Sequence, residues 1–79
     1  MTYVLITTNT NMHDSDEITQ YVFKKVFHPK RWYVNYNTVS NEVESITCSG
    51  SLEDLQHRKH CIPKAINQFI NELKLTNIL

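Results

Sequence analysis

Two groups of residues have the types and spacing to do chemistry. The first is Cys48, His57, His60 and Cys61. On a helix His57 and His60 lie three apart and His57 and Cys61 four apart, so these three share a face and could close on one ion, with Cys48 as a fourth ligand. Zinc held that way would also supply folding free energy to a small domain. The paired Cys-x-x-Cys knuckle of structural zinc sites is missing, however, and His57-Arg58-Lys59-His60-Cys61 reads equally well as a solvated helix end. No metal and no cofactor are expected.

The second group is Lys24-Lys25-Val26-Phe27-His28-Pro29-Lys30-Arg31-Trp32-Tyr33, four basic residues and a histidine interleaved with three aromatics. Cations hold phosphates and aromatic faces stack unpaired bases, so such a stretch, with Tyr3 and Tyr36, can bind single-stranded nucleic acid. The plainer assignment gives Lys24 and Lys25 to the wet side of a helix end, Phe27 and Trp32 to the core, and Arg31 to a strand start. Catalytic groupings are weaker still. Cys48 or Cys61 could pair with His13, His28 or His57, but no flanking signature marks a nucleophile. Asp14, Asp16 and Glu17 could serve acid–base work or Mg²⁺, yet capping of a helix already accounts for them. An enzyme is not expected.

The elements that would position these groups follow from periodicity. Thr2 to Thr8 is β-branched or aromatic at nearly every position and predicts a first strand, broken by Asn9-Thr10-Asn11. Asp14 followed by Glu17 resembles a capping box, and Ile18, Tyr21, Val22, Phe23, Val26 and Phe27 recur near helical spacing, which predicts a helix from Asp14 to about Phe27. Pro29 ends it at His28. Arg31–Asn37 alternates as a second strand, and Glu42–Cys48 forms a third strand of a hairpin. In that third strand Val43 conflicts in parity with Ile46 and Cys48, a conflict that a bulge or a frayed start resolves. Gly50 and Ser51 lead to a short helix from about Leu52, and Pro63 opens a last helix to about Leu75 with Ile66, Phe69, Ile70 and Leu73 on one face. The expected fold is a single α+β domain over residues 1–79. It is a small two-layer sandwich, β-α-β-β-α(-α), with a three-stranded mixed or antiparallel sheet, its third strand central and its helices on one face. The other face is expected to expose Tyr3, Leu5, Tyr33 and Val43.

Composition bounds the rest. The chain has 79 residues, with eight Lys plus Arg against eight Asp plus Glu, and that balance argues against an obligate duplex-DNA binder. Its longest apolar run, Tyr3 to Ile6, is far short of the roughly 20 residues that span a bilayer. No secretory pattern precedes Lys24, so a cytoplasmic location and no membrane partner are expected. Two cysteines are too few for a disulfide scaffold at this size, which makes free thiols the expectation. Eight Asn, seven Ile and six Lys against one Gly, one Ala and two Arg point to an AT-rich genome, of the kind found in many bacteria and phages.

A chain of this mass should retain about 5,000 Å² of accessible surface out of roughly 13,000–14,000 Å² unfolded. The burial contributes on the order of 120 kcal/mol, against about 1.5 kcal/mol of ordering cost per residue, so the fold is expected to be marginal alone. A marginal domain with an uncovered sheet face predicts a non-catalytic protein-binding module, stabilised by a larger host protein or by its own copy. An inhibitor from a phage or other mobile element, blocking a host or defence protein sterically, is one such module. Its expected binding residues are Tyr3, Lys24, Lys25, Lys30, Arg31 and Tyr33, since aromatic and Arg side chains dominate interfaces. Single-stranded nucleic-acid binding through the same basic and aromatic residues is the alternative.

Overall fold

The computed structural model describes residues 3–49, 54–56, 58 and 61–78, without the side chains of His13, Asn77 and Ile78. Four strands, β1 (Tyr3–His13), β2 (Asp16–Lys25), β3 (Arg31–Asn37) and β4 (Glu42–Cys48), precede one helix, α1 (Lys64–Ile78). All neighbours are antiparallel and the sheet order is β1-β2-β3-β4, a meander with β1 and β4 on its edges.

This corrects the expected β-α-β-β-α(-α) sandwich. Residues 16–25 form a central strand where a helix was expected, so the sheet has four strands and β4 is an edge. The reason lies in the composition of the segment. Ile18, Thr19, Tyr21, Val22 and Phe23 are β-branched or aromatic, weak in helices and at home on a pleated surface. Their contiguity imitates a helical stripe, but a strand alternates them, with Thr19, Tyr21 and Phe23 toward α1 and Ile18 and Val22 away. The acids expected to cap a helix close a hairpin instead, in which His13 pairs with Asp16 and Asp14 takes φ 54°, a left-handed conformation that Asp tolerates. Asn9, Thr10 and Asn11 do not break β1. They pair with Gln20, Thr19 and Ile18, and the Thr10 and Thr19 hydroxyls are 3.1 Å apart. Polar residues cost little there because β1 is wet on both faces.

The ranges expected for β3 and β4 are the observed ones. A register shift beside Tyr36 sets Asn35 against Ser45 and Tyr36 against Val43, leaving Glu44 as the extra residue and resolving the parity conflict. The short helix expected from about Leu52 begins outside the described residues. Asp54 to Gln56 instead follow β4, with the Leu55 amide donating to the Ile46 carbonyl at 2.8 Å. Among the described residues no helix is long and apolar enough to cross a membrane.

The core lies between one face of the sheet and Leu55, Ile62 and α1. Phe23, Trp32, Val34 and Ile46 meet Leu55, Ile62, Ile66 and Ile70, with Val34 and Ile66 fully buried. Phe69 inserts edge-on between Tyr21 and Phe23, with ring centroids 5.0 and 4.9 Å away, a preferred aromatic geometry. Partners in register share a face, so Tyr3, Leu5 and Val43 stand on the α1 side, and of the four residues expected on the open face only Tyr33 is there. That open face is mostly polar. It carries Gln20, Lys24, Arg31, Asn35, Ser45 and Thr47, and the Asn35 amide donates to the Ser45 hydroxyl at 2.8 Å.

Candidate functional site

The six residues expected to form one binding surface are divided by the sheet. Tyr3, Lys25 and Lys30 line an open depression of about 480 Å³ with His28, Trp32, Cys61, Ile62 and Pro63, and the Lys25 ammonium lies 5.6 Å from the centre of the Tyr3 ring. Lys24, Arg31 and Tyr33 are on the opposite face, where Lys24 pairs with Arg31 and Val22 with Tyr33. Of the possible metal ligands, His57 and His60 lie outside the described residues. Cys48 is half-buried against the core and Cys61 is an exposed free thiol. Among the described residues no group of three or more His, Cys, Asp or Glu is placed to hold a metal ion.

Charge is sorted along the strands. Lys24, Lys25, Lys30 and Arg31 gather at the end where β2 passes into β3, while Asp14, Asp16, Glu17, Glu42 and Glu44 gather at the end holding the other two hairpin turns. At the acidic end the buried Asn37 amide donates to Asp16 at 3.2 Å and to Glu44 at 3.0 Å. Its carbonyl oxygen accepts from the Val39 and Ser40 amides at 3.0 and 3.1 Å. The side chain thus joins β2, β4 and the turn between β3 and β4. Tyr36 donates to Asn41, whose own amide reaches the Lys74 carbonyl at 3.3 Å and ties that turn to α1. In the middle of the sheet, burial and the nearby Tyr36 phenol push the Tyr21 hydroxyl above its ordinary pKa.

Sequence reasoning missed the most exposed apolar feature. Leu55, Ile62, Ile66, Phe69 and Ile70 cover β2, β3 and β4 but leave β1 largely bare, and every side chain from Val4 to Met12 is exposed. Val4, Leu5, Ile6 and Met12 are among them. Val4 and Ile6 line an apolar depression with Lys24, Lys25, Val26 and Phe27. Phe27, expected in the core, is fully exposed at 101 % and holds φ 62° in a turn closed by the His28 amide on the Lys25 carbonyl at 3.1 Å. A bulky residue in that region costs about 1–2 kcal/mol, and its ring regains nothing inside the chain. The sequence signal was available: from Tyr3 to His13 there is no Asp, Glu, Lys, Arg, Gly or Pro to guard an edge.

The accessible surface is 5588 Å², roughly 600 Å² above what a monomer of this mass should retain. The radius of gyration, 12.4 Å, likewise exceeds the roughly 11.6 Å of a chain packed at usual density. Both excesses agree with a first hairpin that extends past its cover. No protein-family profile, no curated protein sequence and no solved structure matches this chain.

Proposed function

We propose that the chain is a non-catalytic protein-binding module that engages its partner by strand addition along β1. One observation carries the reading: the edge strand β1 is exposed on both faces from Val4 to Met12, and is flanked by a solvent-exposed Phe27. An edge of that kind is a template for another strand. Main-chain hydrogen bonds supply affinity and the flanking apolar groups supply selectivity. The test is site-specific photo-crosslinking in the expressing cell, with a photo-reactive phenylalanine analogue in place of Ile6 or of Tyr33. Adducts from position 6 and none from position 33 are expected. The reverse result places the partner on the polar open face and overturns the reading.

Single-stranded nucleic-acid binding is kept as a second reading on one observation, the sharing of that open face by Lys24, Arg31 and Tyr33. Anisotropy of a labelled oligonucleotide against salt tests it. A steep negative slope is expected if phosphates are held, and no binding at low salt removes the reading.

A further inference from the structure

We infer that the partner covering β1 is a second copy of this chain, paired antiparallel with it, edge to edge, about a two-fold axis near Thr8, so that two four-stranded sheets become one. The inference rests on the docking reading above and names its occupant.

Charge complementarity selects the occupant. β1 carries no Asp, Glu, Lys or Arg of its own, so two copies meet along it without repulsion. The strand runs from the basic end of the molecule, where Tyr3 pairs with Lys25, to the acidic end, where His13 pairs with Asp16. An antiparallel copy therefore sets Lys24 and Lys25 at the same end of the joined sheet as the partner's Asp14, Asp16 and Glu17, with the two β1 strands between them, and the two-fold repeats that match at the other; the carboxylates of the partner's β2 are three strand spacings, about 14 Å, from the lysines. A parallel copy would oppose like charges twice. The formal net charge of zero leaves no long-range repulsion between copies.

Side-chain register agrees. The register shift beyond Leu5 puts Tyr3, Leu5, Thr8, Thr10 and Met12 on the α1 side. A two-fold through Thr8, perpendicular to the sheet, then lays Tyr3 and Leu5 of one copy beside Met12 and Thr10 of the other. A thioether against an aromatic ring is a favourable contact.

Sedimentation equilibrium on the purified full chain tests this from low micromolar to about 1 mM, the range in which a weak to moderate dimer shows itself. The mass should rise from 9.3 kDa to twice that, and raising salt from about 0.05 to 0.5 M should weaken the dimer several-fold. Thr8→Lys and Thr8→Glu each place like charges across the axis, and each should lose at least about tenfold in association, while their equimolar mixture recovers it. Trp32 emission reports that each variant remains folded. A wild-type chain at 9.3 kDa over the whole range overturns the inference, as does a dimer indifferent to Thr8→Lys. If the wild type is monomeric while position 6 still cross-links to a different protein, the second-copy assignment falls and the docking reading stands; no adduct at position 6 removes both.

Discussion

Replacing Asn37 by an aspartate changes one atom group at the most connected polar position in the molecule. The native amide donates to Asp16 and Glu44, and its oxygen receives the Val39 and Ser40 amides. In Asn37→Asp the two accepted bonds survive. The two donated ones are replaced by carboxylate against carboxylate at about the present separations of 3.2 and 3.0 Å. Each lost bond is worth about 1 kcal/mol once the exposure of Asp16 and Glu44 is allowed for. Each like-charge contact costs about 1 kcal/mol even at the dielectric of water. Together they reach about 4 kcal/mol, comparable to the lower end of the roughly 4–12 kcal/mol expected for a domain of this length. The melting temperature should fall by roughly 20 °C at pH 7, at about 4–8 °C per kcal/mol. The two neighbouring carboxylates raise the folded pKa of the introduced carboxyl above its unfolded value, so the variant should be most stable below the carboxylate range and lose stability as pH rises through it. Urea unfolding of both chains across that range, followed by Trp32 emission, reads the difference. A variant as stable as wild type at pH 7, or one whose deficit shrinks as pH rises, refutes the reasoning.

Ile66→Ala removes a fully buried side chain from the centre of the core and should cost 2–5 kcal/mol by chemical denaturation, whereas Leu75→Ala, at a 65 % exposed position, should change stability by less than about 0.5 kcal/mol. Phe27→Gly releases the penalty at φ 62° without uncovering anything, so the isolated chain should gain about 1 kcal/mol and melt a few degrees higher; an unchanged melting curve argues against strain at this turn. The raised Tyr21 pKa stabilises the fold below the unfolded phenol pKa, and that contribution is lost as pH rises through the folded value. Alkaline melts should therefore show a fall in stability that Tyr21→Phe reduces.

Alternation marked β3 because Trp32, Val34 and Tyr36 all need the same dry side, and parity within β4 showed a conflict that a bulge or a frayed start would resolve, of which the structure has the bulge. The stripe of Ile66, Phe69 and Ile70 likewise admits only a helix. Residues 16–25 were ambiguous for a physical reason. Tyr21, Val22 and Phe23 are consecutive apolar residues, which satisfy a broad helical face and a two-sided central strand equally, and Asp and Ser suit both a cap and a tight turn. That one segment decided the strand count, and with it the face of every residue in β1. The candidate site inherited the ambiguity: Lys24 and Lys25 are neighbours on a helix surface but opposite in a strand, so the basic stretch was divided between two faces. Phe27 was readable only after β2 was known to end at Lys25, since a chain turning there toward Pro29 has no core within its reach.

The cover of this sheet is made after its strands. During synthesis β1 to β4 emerge before Ile62, Ile66 and Ile70, which close the dry face. At about 5–20 residues per second, the interval between Cys48 and Ile70 lasts roughly 1–4 s. Through that time Phe23, Trp32, Val34 and Ile46 have nothing of their own chain to bury them. Hairpins close in microseconds, so the nascent meander can pair its strands long before it can dry them. A nascent chain held with Ile62 to Ile70 still inside the ribosomal exit tunnel after β4 has left it therefore presents an apolar sheet to chaperones or to neighbouring nascent chains.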